Sequence, residues 1–502
     1  MSSESAHEKM RDTFNVDGSL KEEDADLAQQ KLDKTGLPLS PQPTERKDDP
    51  LNWSPAFKFA ICLQASLLAF IAPLASAVIN PAFVPLAEAF GITPVAASYE
   101  LTVFLVFAAA GPLLVLPLAN TYGRRPLLLA ASLLAGATNV AAAYSPSWAG
   151  VLVTRAFNGM ATGCLSALGP PIVCDVYFLH ERGFYMGIWA LFANNGTHVA
   201  PLLGGPIAQR LGWRWCFGIP GYIQLAFTAV VACCLPETLF SRRRQTGDVK
   251  ERSYLNLFLF KSASARRRLA RRDFTAPFVM LRYLAVLLPA LYYMTCLAYG
   301  SVLFAATGSV VYKQIYHFSI IQVGLILSIP LLVGSFIGEA GAGWFIDRLI
   351  YLHAKRHGGE RPPEARLDAL WLALLLPIGT IINGICISHS VTASWVGNAF
   401  GMALANVGFQ ISTTVTYAYC TDCYKPQSVE VSAVFNFFRH IFSGLVSFYA
   451  IPLAETIGFQ YAWLVFAFIN IALLLPLAVL RWKGAQIRES AWQKPLTFHN
   501  DI

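Results

Sequence analysis

Ionisable side chains occur inside stretches of this sequence that are otherwise apolar. Glu339 follows Gly338 in such a stretch, and Arg155 follows Val151-Leu-Val-Thr154. A charge surrounded by lipid costs roughly 3 kcal/mol even on the mildest insertion scale, so each needs an interior partner or a water-filled cavity. A carboxyl in such a place can carry a proton, so we expect Glu339, with Asp175 as the other candidate acid, to take part in proton coupling, and we assign Arg155 to the same role. For Arg155 the alternative is a side chain that extends to the membrane surface.

Neutral polar residues in the same apolar stretches also need partners, because lipid offers none. They can face a water-filled cavity or bond to a neighbouring helix, and both alternatives are open for every one of them. Asn194 and His198 are one helical turn apart, and an imidazole can titrate near physiological pH. The residues that we expect to line a substrate cavity are Asn194, His198, Tyr293, Asn406, Gln410, Asn436 and Arg439.

The composition indicates that lipid surrounds most of the elements that carry these residues. The chain has 502 residues, of which 55% are hydrophobic and 14% are charged, against about a quarter charged in soluble domains. Apolar segments of about 20 residues, enough to cross about 30 Å of hydrocarbon, recur along it. We predict an all-α membrane protein with twelve transmembrane helices centred near Leu68, Phe107, Leu134, Leu165, Val199, Ala226, Ala298, Leu332, Ile378, Val407, Leu445 and Ala472.

The positive charges predict the orientation of these helices. The 38 Lys and Arg residues lie mostly in the terminal tails and in alternate loops, and only Arg210, Arg214 and Lys313 fall in the other loops. Loops rich in Lys and Arg stay in the cytosol, so both termini are predicted to be cytosolic. This topology accounts for the net charge of +8, and we expect no nucleic-acid partner.

Polar stretches divide the chain into five parts. Residues 1–55 are predicted to be a disordered cytosolic tail, and residues 237–284, which contain Arg242-Arg-Arg244, a cytosolic linker. Between them lies a first bundle of six helices, residues 56–236. A second bundle, residues 285–482, precedes a cytosolic carboxyl-terminal tail, residues 483–502.

A turn motif follows the second apolar segment and is echoed in the second half. Leu116-Pro-Leu-Ala-Asn-Thr-Tyr-Gly-Arg-Arg125 predicts an elbow at Gly123, and Gly343-Trp-Phe-Ile-Asp347-Arg348 predicts a matching elbow after the eighth segment. In this order and in a six-plus-six arrangement, the motifs resemble those of the major facilitator superfamily of secondary transporters over roughly residues 50–482. The resemblance implies two pseudo-symmetric six-helix bundles. In that family an aspartate at the place of Asn120 helps to hold the cytoplasmic side closed.

The fifth segment carries a second motif that is similar to one of this family. Its glycines and Pro201 fit a pattern associated with exporters that exchange substrate for protons, with Ala200 at one glycine position. Trp213-Arg-Trp215, Pro236-Glu-Thr-Leu239 and Asn436-Phe-Phe-Arg439 resemble the fungal twelve-span drug:proton antiporters. The residues that we expect to act in conformational gating are Asn120, Gly123, Arg124, Arg125, Ala200, Pro201, Gly204, Gly205, Asp347 and Arg348.

The resemblance implies a monomeric proton-coupled transporter that works by alternating access in a lipid bilayer. Its partners are expected to be a small molecule and protons, with no cofactor and no metal. We expect efflux of a drug-like molecule or fungal secondary metabolite across the plasma membrane, with the vacuolar membrane as the alternative location. Proton-driven uptake of a polyamine, other organic cation or nutrient is the alternative function, and a transporter-derived sensor is a more distant one. The sequence contains no Gly-x4-Gly-Lys-Ser/Thr phosphate loop and no His-Glu-x2-His pair, so we expect neither an ATP-driven pump nor an enzyme.

Overall fold

The computed structural model of the chain describes residues 41–240, 271–356, 363–391, 394–424 and 427–489, together with Leu39 and Leu269. Regular structure in these residues is helical, and none of them belongs to a strand. Most of the predicted amino-terminal tail, most of the predicted linker and residues 490–502 lie outside the described residues.

Twelve long helices make up the described part of the chain. Each predicted centre lies in a different one of them, and α7 contains a π-helical turn at Ala298–Val302. Shorter helices lie at Pro50–Asn52, Asn80–Ala82, Phe83–Phe90, Pro94–Ala97, Arg271–Val279 and Met280–Arg282, and a 3-10 helix, Pro363–Leu374, leads into α9. The long helices are α1 (Pro55–Ala77), α2 (Tyr99–Tyr122), α3 (Arg124–Ala143), α4 (Trp148–Val176), α5 (Leu179–Leu211), α6 (Trp213–Cys234), α7 (Leu284–Gln314), α8 (Ile320–Arg356), α9 (Leu375–Ser388), α10 (Trp395–Cys423), α11 (Ser428–Ile457) and α12 (Phe459–Glu489).

Ten of these helices are long and apolar enough to cross a membrane by composition, and α5 and α10 are the exceptions in the described chain. Both have ample length, with 33 and 29 residues. Their polar side chains, such as Asn194, His198 and Gln410, lower their apolar content. Helix α5 packs against α1 and α8, and α10 packs against α8 and α9. His198 and Gln410 bond to neighbouring helices and Asn194 lines a cavity, so none of these groups needs a partner in lipid.

Single glycines connect several consecutive helices. Gly123 between α2 and α3, Gly212 between α5 and α6, and Gly458 between α11 and α12 have φ angles of 109°, 92° and 90°. Residues with a Cβ rarely adopt such angles, so glycine allows each helix to reverse direction within one residue. Gly212 and Gly458 occupy equivalent places in the two halves.

The packing of α1–α6, the first half, is repeated in α7–α12, the second half. In the first half α1 packs against α5, α2 and α3 pack against α4, and α3 packs against α6. The same pairs recur six helices later: α7 with α11, α8 and α9 with α10, and α9 with α12. The principal contacts between the halves are α5 with α8 and α2 with α11. The molecule is therefore a pair of pseudo-symmetric six-helix bundles.

Candidate functional site

A cavity of about 650 Å³ lies between the two halves. Its wall is formed by α1, α2, α4 and α5 from the first half and by α7, α8, α10 and α11 from the second, with Arg366 from the 3-10 helix before α9. We call the end of the bundle where α2 passes into α3 the Gly123 end, and the end where α5 passes into α6 the Gly212 end. Such a volume accommodates a drug-sized molecule.

The cavity is closed towards the Gly212 end and open towards the Gly123 end. Asn80, Leu101 and Leu327 line its deep part and are only 2%, 6% and 1% exposed. Near the Gly123 end, Gly187 is exposed and Asn436 is half-buried. Water therefore reaches the cavity from the Gly123 end.

Five of the seven residues predicted for the cavity line it, namely Asn194, His198, Tyr293, Asn436 and Arg439. Glu339 of α8 also lines it. The structure thus brings a carboxyl, a guanidinium and an imidazole into one water-accessible space.

Asn406 and Gln410 lie elsewhere, in the contact between α10 and α8. The side-chain amide of Asn406 donates to the backbone carbonyl of Leu331, and Gln410 Nε2 donates to Ser335 Oγ at 2.6 Å. Gly334 and Gly338 bring the two helices together here, because a Cβ on either would meet atoms of α10. These amides therefore hold α8 to α10. Of the two alternatives that the sequence left open, they bond to a neighbouring helix rather than face the cavity.

Arg155 is fully buried within the first half. Its Nε forms an ion pair with Glu100 Oε2 at 2.6 Å, and Nη2 donates to the carbonyl of Ser76 at 2.8 Å. Nη1 lies 3.3 Å from Asn139 Oδ1 and 3.2 Å from Asn158 Oδ1. The side chain does not extend to the membrane surface. It joins α1, α2, α3 and α4, outside the residues that line the cavity.

Hydrogen bonds between the halves close the cavity at its deep end. His198 Nε2 lies 3.2 Å from Ser301 Oγ of α7, and the His198 carbonyl accepts from Ser328 Oγ of α8 at 2.6 Å. Further towards the Gly212 end, Ser309 Oγ donates to the Pro81 carbonyl at 3.2 Å. His198 therefore belongs both to the cavity wall and to the contact that closes it.

Small residues of α5 allow this close approach of the halves. Ala200 is fully buried, and a Cβ on Gly204 would meet the carbonyl oxygen of Val78 after α1. A Cβ on Gly205 would lie 2.9 Å from the Ile320 carbonyl oxygen of α8. The Pro201 carbonyl oxygen in turn faces Gly324 of α8. Helix α5 is thus fitted between α1 and α8, backbone against backbone.

A cluster of charged groups holds the Gly123 end of the first half. Arg124 Nε pairs with Asp175 Oδ2 at 2.7 Å, and Nη1 donates to Asn120 Oδ1 at 3.0 Å. Arg125 Nε donates to the Leu235 carbonyl at 2.7 Å, and Nη2 donates to the Ala232 carbonyl at 2.6 Å. These carbonyls are at the end of α6, where the helix itself supplies no N–H partner. Asp175 therefore lies in this cluster and not among the residues that line the cavity.

Glu237 is the centre of the cluster. Its Oε1 accepts from the backbone N–H groups of Arg124 and Leu239, both at 2.9 Å, and Oε2 accepts from that of Arg125 at 3.1 Å. A Cβ at Gly123 would collide with this carboxylate. Burial raises the pKa of Glu237, while the three N–H donors act in the opposite direction.

The second half has a similar ion pair, but in its described residues no elbow occurs at Gly343-Trp-Phe-Ile-Asp347-Arg348. Arg366 Nε pairs with Asp422 Oδ2 at 2.6 Å, at the end of α10, as Asp175 is at the end of α4. Helix α8 continues through Asp347 to Arg356 instead of turning after Gly343, because helix-compatible residues and no proline follow. Arg348 is exposed, and the Asp347 side chain lies outside the described residues.

Sequence reasoning missed three residues. Glu100 and Glu237 were not assigned to any site, although Glu237 lies in the Pro236-Glu-Thr-Leu239 motif that follows α6. His440, next to Arg439, lines the cavity, and its Nδ1–H donates to the Asn436 carbonyl at 2.7 Å. Glu339 was identified because it is a titratable residue inside an apolar stretch. His440 is also a titratable residue inside an apolar stretch, so the same criterion would have identified it.

Comparisons with known proteins agree on one family. Residues 65–448 match the family model described as Major Facilitator Superfamily. The chain is 28% identical over 455 residues to the efflux pump radE of Floropilus chiversii, across 88% of this chain and 82% of that protein. It is 27% identical over 463 residues to the MFS-type transporter penM of Penicillium rubens, across 88% of each. A crystal structure of a bacterial homologue of the human lysosomal transporter Spinster, inward-facing and unoccupied, superposes with a TM-score of 0.63 at 14% identity, covering 88% of this chain and 100% of that one. The last similarity concerns the fold alone.

Proposed function

Because the chain belongs to the Major Facilitator Superfamily, we propose that it is a proton-coupled transporter that exports a drug-like molecule or fungal secondary metabolite by alternating access. The family and the relatives are multi-pass membrane transporters and not enzymes. A small molecule that crosses the bilayer through the protein is therefore its substrate.

The cavity is the observation that carries this proposal. It lies between two repeated bundles, is closed at the Gly212 end, and contains Glu339 in its wall. A single acid in a water-accessible cavity can exchange its proton for a bound solute when the opening changes sides. Arg155, already paired with Glu100, supports the fold of the first half in this scheme, and the cluster around Arg124 and Asp175 stabilises the Gly123 end when it closes.

The orientation follows from charge. Arg124, Arg125, Arg182 and Arg366 all lie at the Gly123 end, so this end faces the cytosol under the positive-inside rule. The open side of the cavity is then cytosolic, which is where an exporter collects its substrate. The plasma membrane is the proposed location. The similarity to an efflux pump, the relative from Floropilus chiversii, agrees with export.

Proton release from vesicles tests the function even though the substrate is unidentified. The purified chain is reconstituted into vesicles with an acidic lumen that contains the pH indicator pyranine. Neutral, anionic and cationic aromatic compounds are then added outside, one at a time. We expect at least one compound to release protons from vesicles with the natural chain and not from protein-free vesicles.

The matched variants are Glu339→Gln and Glu88→Gln. The first should abolish substrate-driven proton release while the protein remains folded, and the second, at an exposed acid, should leave it unchanged. Undiminished release by Glu339→Gln would remove this residue from the coupling mechanism. Absence of release for every compound with the natural chain would argue against proton-coupled transport.

A further inference from the structure

Arg439 differs from the other arginines that lie in or beside the bundle interior. Arg155 is paired with Glu100, and Arg366 is paired with Asp422. Arg439 lines the cavity, yet no Asp or Glu of the described residues forms an ion pair with it. It therefore keeps its positive charge uncompensated in the wall of the cavity.

The hydrogen-bonding capacity of Arg439 is also largely unused. A guanidinium has five N–H donors, and among the described residues its acceptor is Tyr293 Oη, 3.3 Å from Nη1. Its Nε is buried and has no hydrogen-bond acceptor in the described part of the chain. Leaving a buried charged donor unsatisfied is costly, so an occupant that supplies acceptor oxygens would bind favourably.

Glu339 forms no ion pair with Arg439 in the described part of the chain, although both line the cavity. Glu339 lies on α8, which packs against α5 and α10, whereas Arg439 lies on α11, which packs against α2 and α7. The cavity thus has an acid on one helix of its wall and an unpaired cation on another.

Aromatic side chains surround the cationic wall. The Tyr293 ring centroid is 6.0 Å from the Arg439 guanidinium carbon and 4.9 Å from the Phe435 ring centroid. Tyr417 and Phe409 line the same cavity. These rings suit an apolar or aromatic body attached to the group that Arg439 holds.

We propose that the substrate is an amphipathic organic anion, whose carboxylate or other acidic group with several acceptor oxygens pairs with Arg439 while its aromatic body lies against Tyr293 and neighbouring rings. This inference rests on the proposed transport function and specifies its substrate class. Glu339 remains free to carry the proton, since the anion binds to Arg439 on a different helix, with which Glu339 forms no ion pair in the part of the chain that the structure describes.

Equilibrium binding of three matched probes to the purified full chain tests the proposal. They are 2-naphthalenesulfonate, a permanent anion, 2-naphthalenesulfonamide, its neutral counterpart, and 2-naphthylmethylammonium, a cation. We expect the sulfonate to bind at least about ten-fold more tightly than the sulfonamide, the order of one charge-assisted hydrogen bond. Equal affinities, absence of binding, or tightest binding of the ammonium would overturn the proposal.

Variants of Arg439 identify the group that is responsible. Arg439→Gln should lose the preference for the sulfonate and keep its affinity for the sulfonamide within about two-fold, and Arg439→Lys should keep part of the preference. Arg210→Gln, at an exposed arginine of the Gly212 end, is the control and should bind as the natural chain does. If Arg439→Gln still binds the sulfonate more tightly than the sulfonamide, the assignment to Arg439 is refuted. If that variant does not fold, an undiminished preference for the sulfonate in Arg439→Lys refutes it instead.

Vesicle transport separates this proposal from the one on which it rests. The permanently charged sulfonate does not cross lipid unaided, so its pH-driven movement reports the protein. Selective binding without movement under either pH gradient would support the anion site and contradict proton-coupled transport. Proton-coupled movement of the other probes beyond that in protein-free vesicles, without selective binding of the sulfonate, would support proton-coupled transport and contradict the anion site.

Discussion

The first backbone N–H groups of a helix have no carbonyl partner within the helix. At the start of α3, the carboxylate of Glu237 accepts hydrogen bonds from these groups. It accepts from the backbone N–H groups of Arg124, Arg125 and Leu239, where the helix dipole also favours a negative group. Arg125 meanwhile donates to the last carbonyls of α6. One acid and one arginine thus join the start of α3 to the end of α6.

Replacing Glu237 tests this arrangement. Glu237→Gln keeps the size of the side chain. Its amide NH₂ group would replace Oε2 as the neighbour of the Arg125 backbone N–H, so that two donors face each other and this N–H loses its acceptor. We expect a loss of stability of about 1–3 kcal/mol, the usual effect of leaving a buried donor unsatisfied. The thermal unfolding midpoint of the purified protein should fall. Glu88→Gln, at an exposed acid of the Gly212 end, should unfold as the natural chain does, and an equal midpoint for both variants would contradict the role of Glu237.

For single residues, the sequence indicated which polar side chains need a partner inside the protein, but it did not indicate which residues those partners are. Arg155 was recognised as a charge that needs an interior partner, but Glu100 lies 55 positions away and nothing local links the two. Asn406 and Gln410 were expected in the cavity, yet they bond to α8. In lipid, a polar side chain that meets a neighbouring helix and one that meets a water-filled cavity produce the same sequence pattern. Only the packing of the helices distinguishes them.

Among the elements, α5 depends most on small residues, because it contacts both its own half and the other one. Gly204 faces the chain after α1, while Gly205 faces the start of α8. The sequence singled out these glycines because they fit a family pattern, and the structure shows that they pack closely against neighbouring backbone. The sequence also predicted every one of the twelve helices, because the length and largely apolar character of each segment are local properties, even for the more polar α5 and α10. It did not predict the continuation of α8 to Arg356, because the elbow motif there was read by analogy with the first half.

A methyl group at Gly205 should favour separation of the halves at the Gly212 end. Its Cβ would lie 2.9 Å from the Ile320 carbonyl oxygen and 3.0 Å from Ile321 Cα, and overpacking of this kind costs about 1–3 kcal/mol. That corresponds to a roughly ten-fold shift in population, since each 1.4 kcal/mol is about one factor of ten. Gly205→Ala should therefore populate the state that is open at this end.

Thiol labelling measures this shift. In a chain without its native cysteines, Asn80→Cys places a thiol in the deep part of the cavity, where Asn80 is 2% exposed. Gly205→Ala should speed its reaction with a membrane-impermeant maleimide added on the Gly212 side by about ten-fold. Gly187→Ala is the matched control, because a Cβ there has no atom within 4 Å. Equal labelling rates in the two variants would show that the α5–α8 contact does not govern opening.

For the whole molecule, the repeated packing explains how the cavity can change sides. Each half is held together by its own contacts, such as α2 with α4 and α8 with α10, whereas the principal contacts between halves are α5 with α8 and α2 with α11. Two bundles with strong internal contacts and a limited mutual interface can tilt as units. The contacts that close the Gly212 end, including His198 with Ser301, must then break in every transport cycle.

Joining the two halves at the Gly212 end should therefore stop transport while leaving binding intact. The rings of Tyr99 on α2 and Phe448 on α11 are 4.6 Å apart between centroids, so Tyr99→Cys with Phe448→Cys can be bridged by a short reducible bifunctional thiol reagent. We expect proton-coupled transport to cease after bridging and to return on reduction. Affinity for 2-naphthalenesulfonate should change by less than about two-fold, because the cavity still opens at the Gly123 end.

The control is a bridge of the same kind within one half. Tyr144, which follows α3, and Tyr222 of α6 share a hydrogen bond of 3.0 Å between their hydroxyl groups, and both belong to the first half. Bridging cysteines at these two positions should not affect transport, since α3 and α6 move together. Full activity after complete bridging of positions 99 and 448 would show that the halves do not separate there, and alternating access through this cavity would have to be abandoned.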